Sequence, residues 1–130
     1  MAQQPKVLVV EDDPDIIEAI TMVLSTQPYE IVTAGDGLEC LDRIKEGVPD
    51  LIILDLLMPR MDGFAVVREL RENPQYPRIP ILILTSVRED ASRRRYELET
   101  GLEMDVQDYA EKPISPADLL HRVGKLLKKA

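Results

Sequence analysis

Four apolar residues run straight into a carboxylate at Leu51-Ile52-Ile53-Leu54-Asp55, and Leu56-Leu57-Met58-Pro59 follows as a loop. A continuous apolar run of this length reads as a strand buried on both faces, as in a parallel sheet. Open α/β sheets place their ligands at the carboxyl ends of their strands. Asp55 stands at that end, which makes it a candidate nucleophile for a phosphoryl group.

The rest of the chain repeats the pattern. Residues 6–10, Lys-Val-Leu-Val-Val, form a second buried-strand candidate that ends in Glu11-Asp12-Asp13-Pro14. Asp13 suits an N-cap and Pro14 a first helical position. Ile16, Ile17, Ile20, Val23 and Leu24 then recur at helical spacing, and a stop is expected near Gln27-Pro28. A short strand over residues 30–34 precedes the Gly35-Asp36-Gly37 turn. Leu38, Leu41 and Ile44 mark the apolar side of a helix with Gly47 as its C-cap. Beyond the central strand at 51–54, Asp62-Gly63 leads into a helix carrying Phe64, Val67 and Leu70, closed by Asn73-Pro74. Ile81-Leu82-Ile83-Leu84 is another apolar strand, and Thr85-Ser86 ends it.

Residues 87–106 are harder to assign. Ala91, Tyr96, Leu98 and Leu102 give a helix with an imperfect stripe, and Arg93-Arg94-Arg95 with Glu97 and Glu99 read as i,i+4 ion pairs on a solvated face. A weak strand at about 107–111 runs into Lys112-Pro113. Ser115, Pro116 and Asp118 open a last helix with Leu119, Leu120, Val123, Leu126 and Leu127 on its apolar face. Lys125, Lys128 and Lys129 occupy its final turns, where the helix dipole favours cations.

Five strands alternating with five helices imply a parallel sheet covered on both sides. The expected fold is therefore a flavodoxin-like (βα)5 three-layer α/β sandwich with strand order 2-1-3-4-5. That order sets the first and third strands side by side, so Glu11, Asp12 and Asp55 converge on one crevice.

Composition narrows the function. At 130 residues, with 45% apolar and 31% charged residues, the chain fits one soluble domain spanning 1–130. No apolar stretch is long enough to cross a bilayer, and the start lacks the features of a signal peptide. The single cysteine, Cys40, fits a reducing cytoplasm and reads as a core filler rather than a reactive thiol. A net charge of −8 and few aromatics disfavour direct nucleic-acid binding.

The three carboxylates repel one another, and a bound Mg²⁺ with one lysine ammonium would cancel them. Oxygen ligands and retained waters suit Mg²⁺, and no Cys/His set for zinc exists. Asp12, Asp55 and a loop carbonyl are the expected ligands. At a reference pKa of about 3.9 an aspartate is already ionised at neutral pH and needs no base. Phosphoryl transfer asks mainly for positioning and charge neutralisation. Lys112 can hold one phosphoryl oxygen and the Thr85 hydroxyl another.

These residues resemble the receiver domain of two-component response regulators over essentially the whole chain. The matching stretches are Val9-Val10-Glu11-Asp12, Leu54-Asp55-Leu56-Leu57-Met58-Pro59 with Gly63, Leu84-Thr85-Ser86, and Tyr109-Ala110-Glu111-Lys112-Pro113. The resemblance implies that Asp55 is the phosphoacceptor, that Asp12 binds metal directly and Glu11 through water, and that the Leu57 backbone carbonyl is the third protein ligand. It further implies Thr85 and Tyr109 as switch residues, Lys112 as the phosphate-binding lysine, and a cis bond between Lys112 and Pro113.

The implied partners are a histidine kinase or phosphotransfer protein as donor, and a downstream protein that reads the fourth helix and fifth strand. Membrane and direct nucleic-acid contacts are not implied, nor is catalysis beyond the domain's own phosphorylation and dephosphorylation. The chain departs from commoner receivers between Thr85 and Lys112, a span several residues longer, with Gly101-Leu102-Glu103-Met104-Asp105-Val106 before the fifth strand. An extended loop or lengthened fourth helix is expected there.

Three other readings compete. A metal-dependent small-molecule phosphatase would want a second acid two residues after the nucleophile, where Leu57 stands. A nucleotide-binding domain would need a glycine-rich loop after the first strand, which is missing. A receiver-like scaffold that is never phosphorylated would tend to lack some of these pocket residues.

Overall fold

The continuous apolar runs become the interior of a parallel sheet. The computed structural model describes residues 4–100 and 104–128, the side chains at 87, 88, 90 and 98–100 excepted. Its elements alternate as β1 (Lys6–Val10), α1 (Pro14–Leu24), β2 (Glu30–Ala34), α2 (Gly37–Glu46), β3 (Leu51–Asp55), α3 (Gly63–Glu72), β4 (Ile81–Thr85), α4 (Val87–Thr100), β5 (Asp108–Glu111) and α5 (Pro116–Lys128). All strand pairs are parallel, in the order β2-β1-β3-β4-β5. The doubly covered α/β fold expected from the alternation is thus the one observed.

Alternation along each strand divides the core in two. Leu8, Val10, Ile52, Leu54, Ile81 and Ile83 face α2 and α3, where Cys40, Ile44, Val66, Val67 and Leu70 meet them. Val7, Val9, Leu51, Ile53, Leu82 and Leu84 face α1 and α5, against Ile20, Leu24, Leu119, Val123 and Leu126. β3 and β4 are buried along their whole length because both faces are covered. The Cys40 thiol is fully buried, and burial, helped by the Asp36 charge, pushes its pKa up to about 12. It is a packing residue, as its place in a helical stripe indicates.

Helix starts follow local chemistry. Asp13, Asp36 and Asp62 each accept a backbone N–H from the first turn of α1, α2 and α3, at 2.9 Å in every case. The Ser115 hydroxyl accepts from Asp118 N at 3.1 Å at the head of α5. α1 ends at Leu24, short of the proline at 28, because Ser25 closes it by donating to the Thr21 carbonyl. α4, at 14 residues, is the longest of the five helices. Residues 101–103, on which the expected extended loop or lengthened helix falls in part, and Lys129 lie outside the described residues.

Arg94 and Arg95 of the arginine run are exposed, as a solvated face requires, and Arg93 departs from it. Arg93 does pair with Glu97 at 2.9 Å across one helical turn, but their side chains are only 18% and 19% exposed. The Arg93 guanidinium lies 4.4 Å over the Tyr109 ring. Tyr96 stacks at 4.9 Å against Phe64 of α3. α4 is therefore held by aromatic and ionic contacts, which the apolar stripe does not record.

Candidate functional site

The carboxyl ends of β1, β3, β4 and β5 open on one side of the sheet and bring the sequence-selected residues together. The register puts Val10 beside Leu54, and Asp55 beside Leu84. Glu11, Asp12 and Asp55 each present a carboxylate oxygen, all within 4.8 Å of one another. Glu11 and Asp55 are buried at 3% exposure, while Asp12 is open to solvent. Lys112 reaches in from the end of β5, its Nζ 3.0 Å from Glu11 Oε2 and 3.2 Å from Asp55 Oδ1. The Lys112–Pro113 peptide bond is cis, as the resemblance implies.

Thr85 ends β4 with a buried side chain, and its hydroxyl donates to the Ser86 carbonyl at 3.0 Å. Tyr109 sits on β5, half-buried beneath Arg93, with its hydroxyl 3.4 Å from the Met104 carbonyl. Leu57 lies two residues past Asp55 in the β3–α3 loop and packs against the α2–α3 side of the core.

That loop is pinned from two sides. Gly63 N–H donates to Leu56 O at 2.8 Å. A Cβ on Gly63 would lie 2.5 Å from the Asp55 carbonyl and 2.9 Å from Leu56 Cα, so only glycine lets α3 begin this close to the strand. Arg60 adopts a left-handed backbone, φ 67°, sparsely populated for a non-glycine residue. Its guanidinium holds the buried Asp36 carboxylate, with Nε 2.7 Å from Oδ2, and Gly37 N–H donates to the Met61 carbonyl. The backbone hydrogen bond from Glu39 and the Arg60 partner keep Asp36 below the usual carboxylate range despite burial. The loop after Asp55 is thereby fastened to the head of α2.

A fourth carboxyl, absent from the sequence argument, completes the pocket. Glu89, in the first turn of α4, is 8% exposed. Its Oε1 is 3.5 Å from Lys112 Nζ, and its Oε2 accepts the Leu56 N–H at 3.4 Å. Its carboxyl and that of Asp55 act on each other's ionisation in opposite directions. The available sequence signal was Ser86-x-x-Glu89, the spacing of a capping box. The Ser86 hydroxyl does accept Glu89 N–H at 3.2 Å, but that local pattern is silent on the other end of the side chain.

The crowding of acids changes their ionisation. Burial, then the hydrogen bond with Glu89 and the Glu11 charge, push Asp55 up to about 9 against the pull of Lys112. Burial raises Glu11 as well, although Lys112 opposes it. Glu89 goes the other way. Burial disfavours its charge, but its bonds with Asp55, Lys112, Ser86 and Leu56 win and lower it. Lys112 stays charged above its ordinary range, since its acidic partners outweigh its burial. Burial and the neighbouring acids thus work against ionisation of Asp55, an influence that the reference value of a free aspartate does not include.

The donor set fits a hard divalent cation. Three carboxylates within reach of one another supply oxygen only, and the exposed Asp12 leaves room for water ligands.

An acidic pocket with a lysine at the carboxyl end of a 2-1-3-4-5 sheet defines a class. The family model for the response regulator receiver domain matches residues 7–124, and the chain belongs to that family. Among its relatives is the hybrid signal transduction histidine kinase D of Dictyostelium discoideum, 43% identical over 95% of this chain and 8% of that protein. The alkaline phosphatase synthesis transcriptional regulatory protein PhoP of Bacillus subtilis is 36% identical over 96% of this chain and 49% of its own length. The chain therefore spans about half or less of these two curated relatives. The signal receiver domain of a signal transduction histidine kinase from Syntrophus aciditrophicus superposes with a TM-score of 0.83 at 31% identity, covering 97% of this chain and 92% of that one.

Proposed function

We propose that this chain, as a receiver domain over residues 1–130, accepts a phosphoryl group on Asp55 and relays it as a change of surface. The observation that carries the reading is one carboxyl, Asp55, placed 3.2 Å from a lysine ammonium and within 4.8 Å of two further carboxylates just past the end of the neighbouring strand β1. The donor is a phosphohistidine on a histidine kinase or phosphotransfer protein. An Asp55 oxygen forms the new O–P bond as the N–P bond breaks, and the imidazole leaves with the electron pair and takes up a proton.

Asp12, Asp55 and the Leu57 carbonyl would hold Mg²⁺, with Glu11 acting through water. When bound, Mg²⁺ supplies positive charge that favours ionised carboxylates and polarises a phosphoryl oxygen. Lys112 holds a second phosphoryl oxygen as a point charge. The Thr85 hydroxyl turns from Ser86 toward a third, and Tyr109 moves into the space released. The phosphorylated form is then read at α4 and β5 by a downstream protein, a population shift between two existing states.

The domain catalyses nothing beyond its own phosphorylation and dephosphorylation. Among the described residues no helix is long and apolar enough to cross a membrane. We place the domain in the cytoplasm, where its free buried cysteine stays reduced. The net charge of −8 argues that the domain itself does not grip nucleic acid. The PhoP relative is a transcriptional regulator about twice as long, so a longer protein carrying this domain could still act on DNA.

The test is incubation with acetyl phosphate and Mg²⁺, read by intact mass. One phosphoryl group should be gained by the wild type, none by Asp55→Asn, and none after chelation. Lys112→Ala should take it up at least about tenfold more slowly, the loss of one charge-assisted contact. Uptake persisting in Asp55→Asn overturns the proposal.

A further inference from the structure

Glu89 is the one acid of the pocket that does not belong to the metal cluster among the described residues. Its oxygens lie on the lysine side, against Lys112 Nζ at 3.5 Å and the Leu56 N–H at 3.4 Å. Both donors flank Asp55. A positive ammonium and the first backbone N–H beyond the nucleophile are the groups that a dianion attached to an Asp55 oxygen would need. Here they are already taken by a carboxylate. Glu11 and Asp55 already draw on the ammonium at 3.0 and 3.2 Å, so a phosphoryl group and Glu89 compete for its remaining donor and for the single Leu56 N–H.

We propose that Glu89 is a tethered anion that occupies the phosphoryl position of the resting pocket, so that phosphorylation of Asp55 has to expel it and thereby moves the first turn of α4. The inference rests on Asp55 being the phosphoacceptor and adds the physical link from that residue to the helix. Glu89 stands in the first turn of α4, and its backbone N–H is capped there by the Ser86 hydroxyl, so a carboxylate expelled from the pocket belongs to the residue that closes that turn. The resting state is favoured by an internal competitor, and the same competitor slows entry of the phosphoryl group.

The experiment is titration of the Mg²⁺-loaded protein with beryllofluoride, which stands in for a phosphoryl group on aspartate, with amide hydrogen exchange followed in parallel. Glu89→Ala should bind beryllofluoride about tenfold tighter than wild type, and Glu89→Gln should move the same way by less. In the wild type, beryllofluoride should speed exchange in the first turn of α4. In Glu89→Ala that turn should exchange fast from the start and respond little. Equal or weaker binding by both variants overturns the proposal, as does wild-type α4 protection that beryllofluoride leaves unchanged. If neither wild type nor variant binds beryllofluoride, the phosphoacceptor reading falls and this inference falls with it. Binding by Glu89→Ala alone would be its strongest support.

Discussion

Burial first, then Glu89 and the Glu11 charge, push the Asp55 carboxyl up, and this has a consequence for stability. Its folded value of about 9 lies above the ordinary 3.8. Between those values the folded chain keeps a proton that the unfolded chain releases, so stability falls as pH rises through the window. In metal-free buffer, Asp55→Asn should therefore melt at a higher temperature than wild type near pH 8, with the gap closing toward pH 4. Thermal denaturation followed by circular dichroism checks this. An unchanged gap across the range would mean that Asp55 is ordinarily ionised. Most of the pocket was legible residue by residue, since an acidic pair, an aspartate, a threonine and a lysine each follow a strand. Glu89 was not, because helix spacing alone does not reveal which way a side chain in a weakly amphipathic helix points.

At the scale of elements, the junction of β3 with α3 sets the pocket floor. Gly63 lies against the Asp55 carbonyl, and a methyl group there has no space unless backbone moves. Gly63→Ala should cost about 1–3 kcal/mol in urea unfolding, the usual penalty of overpacking. Its Mg²⁺ affinity should drop as well, because the displaced loop carries the proposed Leu57 ligand. Full stability with normal affinity would show that the junction tolerates a shift. Asp13, Asp62 and Ser115 were readable as helix heads, their partners being only two or three residues away. The contacts that fix α4 were not, because they run to residues far along the chain. Arg93 stacks on Tyr109, and Arg68 of α3 is 3.5 Å from the Tyr96 hydroxyl. Arg71 of α3 similarly ties the approach to β5, donating from Nε to the Asp105 carbonyl at 2.8 Å.

In the whole molecule, two cores share one sheet, so neither should survive loss of the other. Ile52 points to the α2–α3 side and Ile53 to the α1–α5 side, and both are buried. Ile52→Ala and Ile53→Ala should each cost about 2–5 kcal/mol. Each should still unfold in one step, with tyrosine fluorescence and circular dichroism coinciding. Tyr29 packs on one face, and Tyr76, Tyr96 and Tyr109 on the other, so early unfolding of either face would separate the two signals. Taken by itself, the order of residues determined the strands, the helices, the direction of the sheet and the acids at its open edge. Apolar period, proline and capping are short-range rules, written in neighbouring positions. Only the tertiary structure decided that burial and neighbouring acids raise Asp55, that Glu89 sits among the pocket acids, and that Arg93 is covered rather than solvated. Those outcomes depend on burial and on charges that meet across strands and helices, distances which no local pattern encodes.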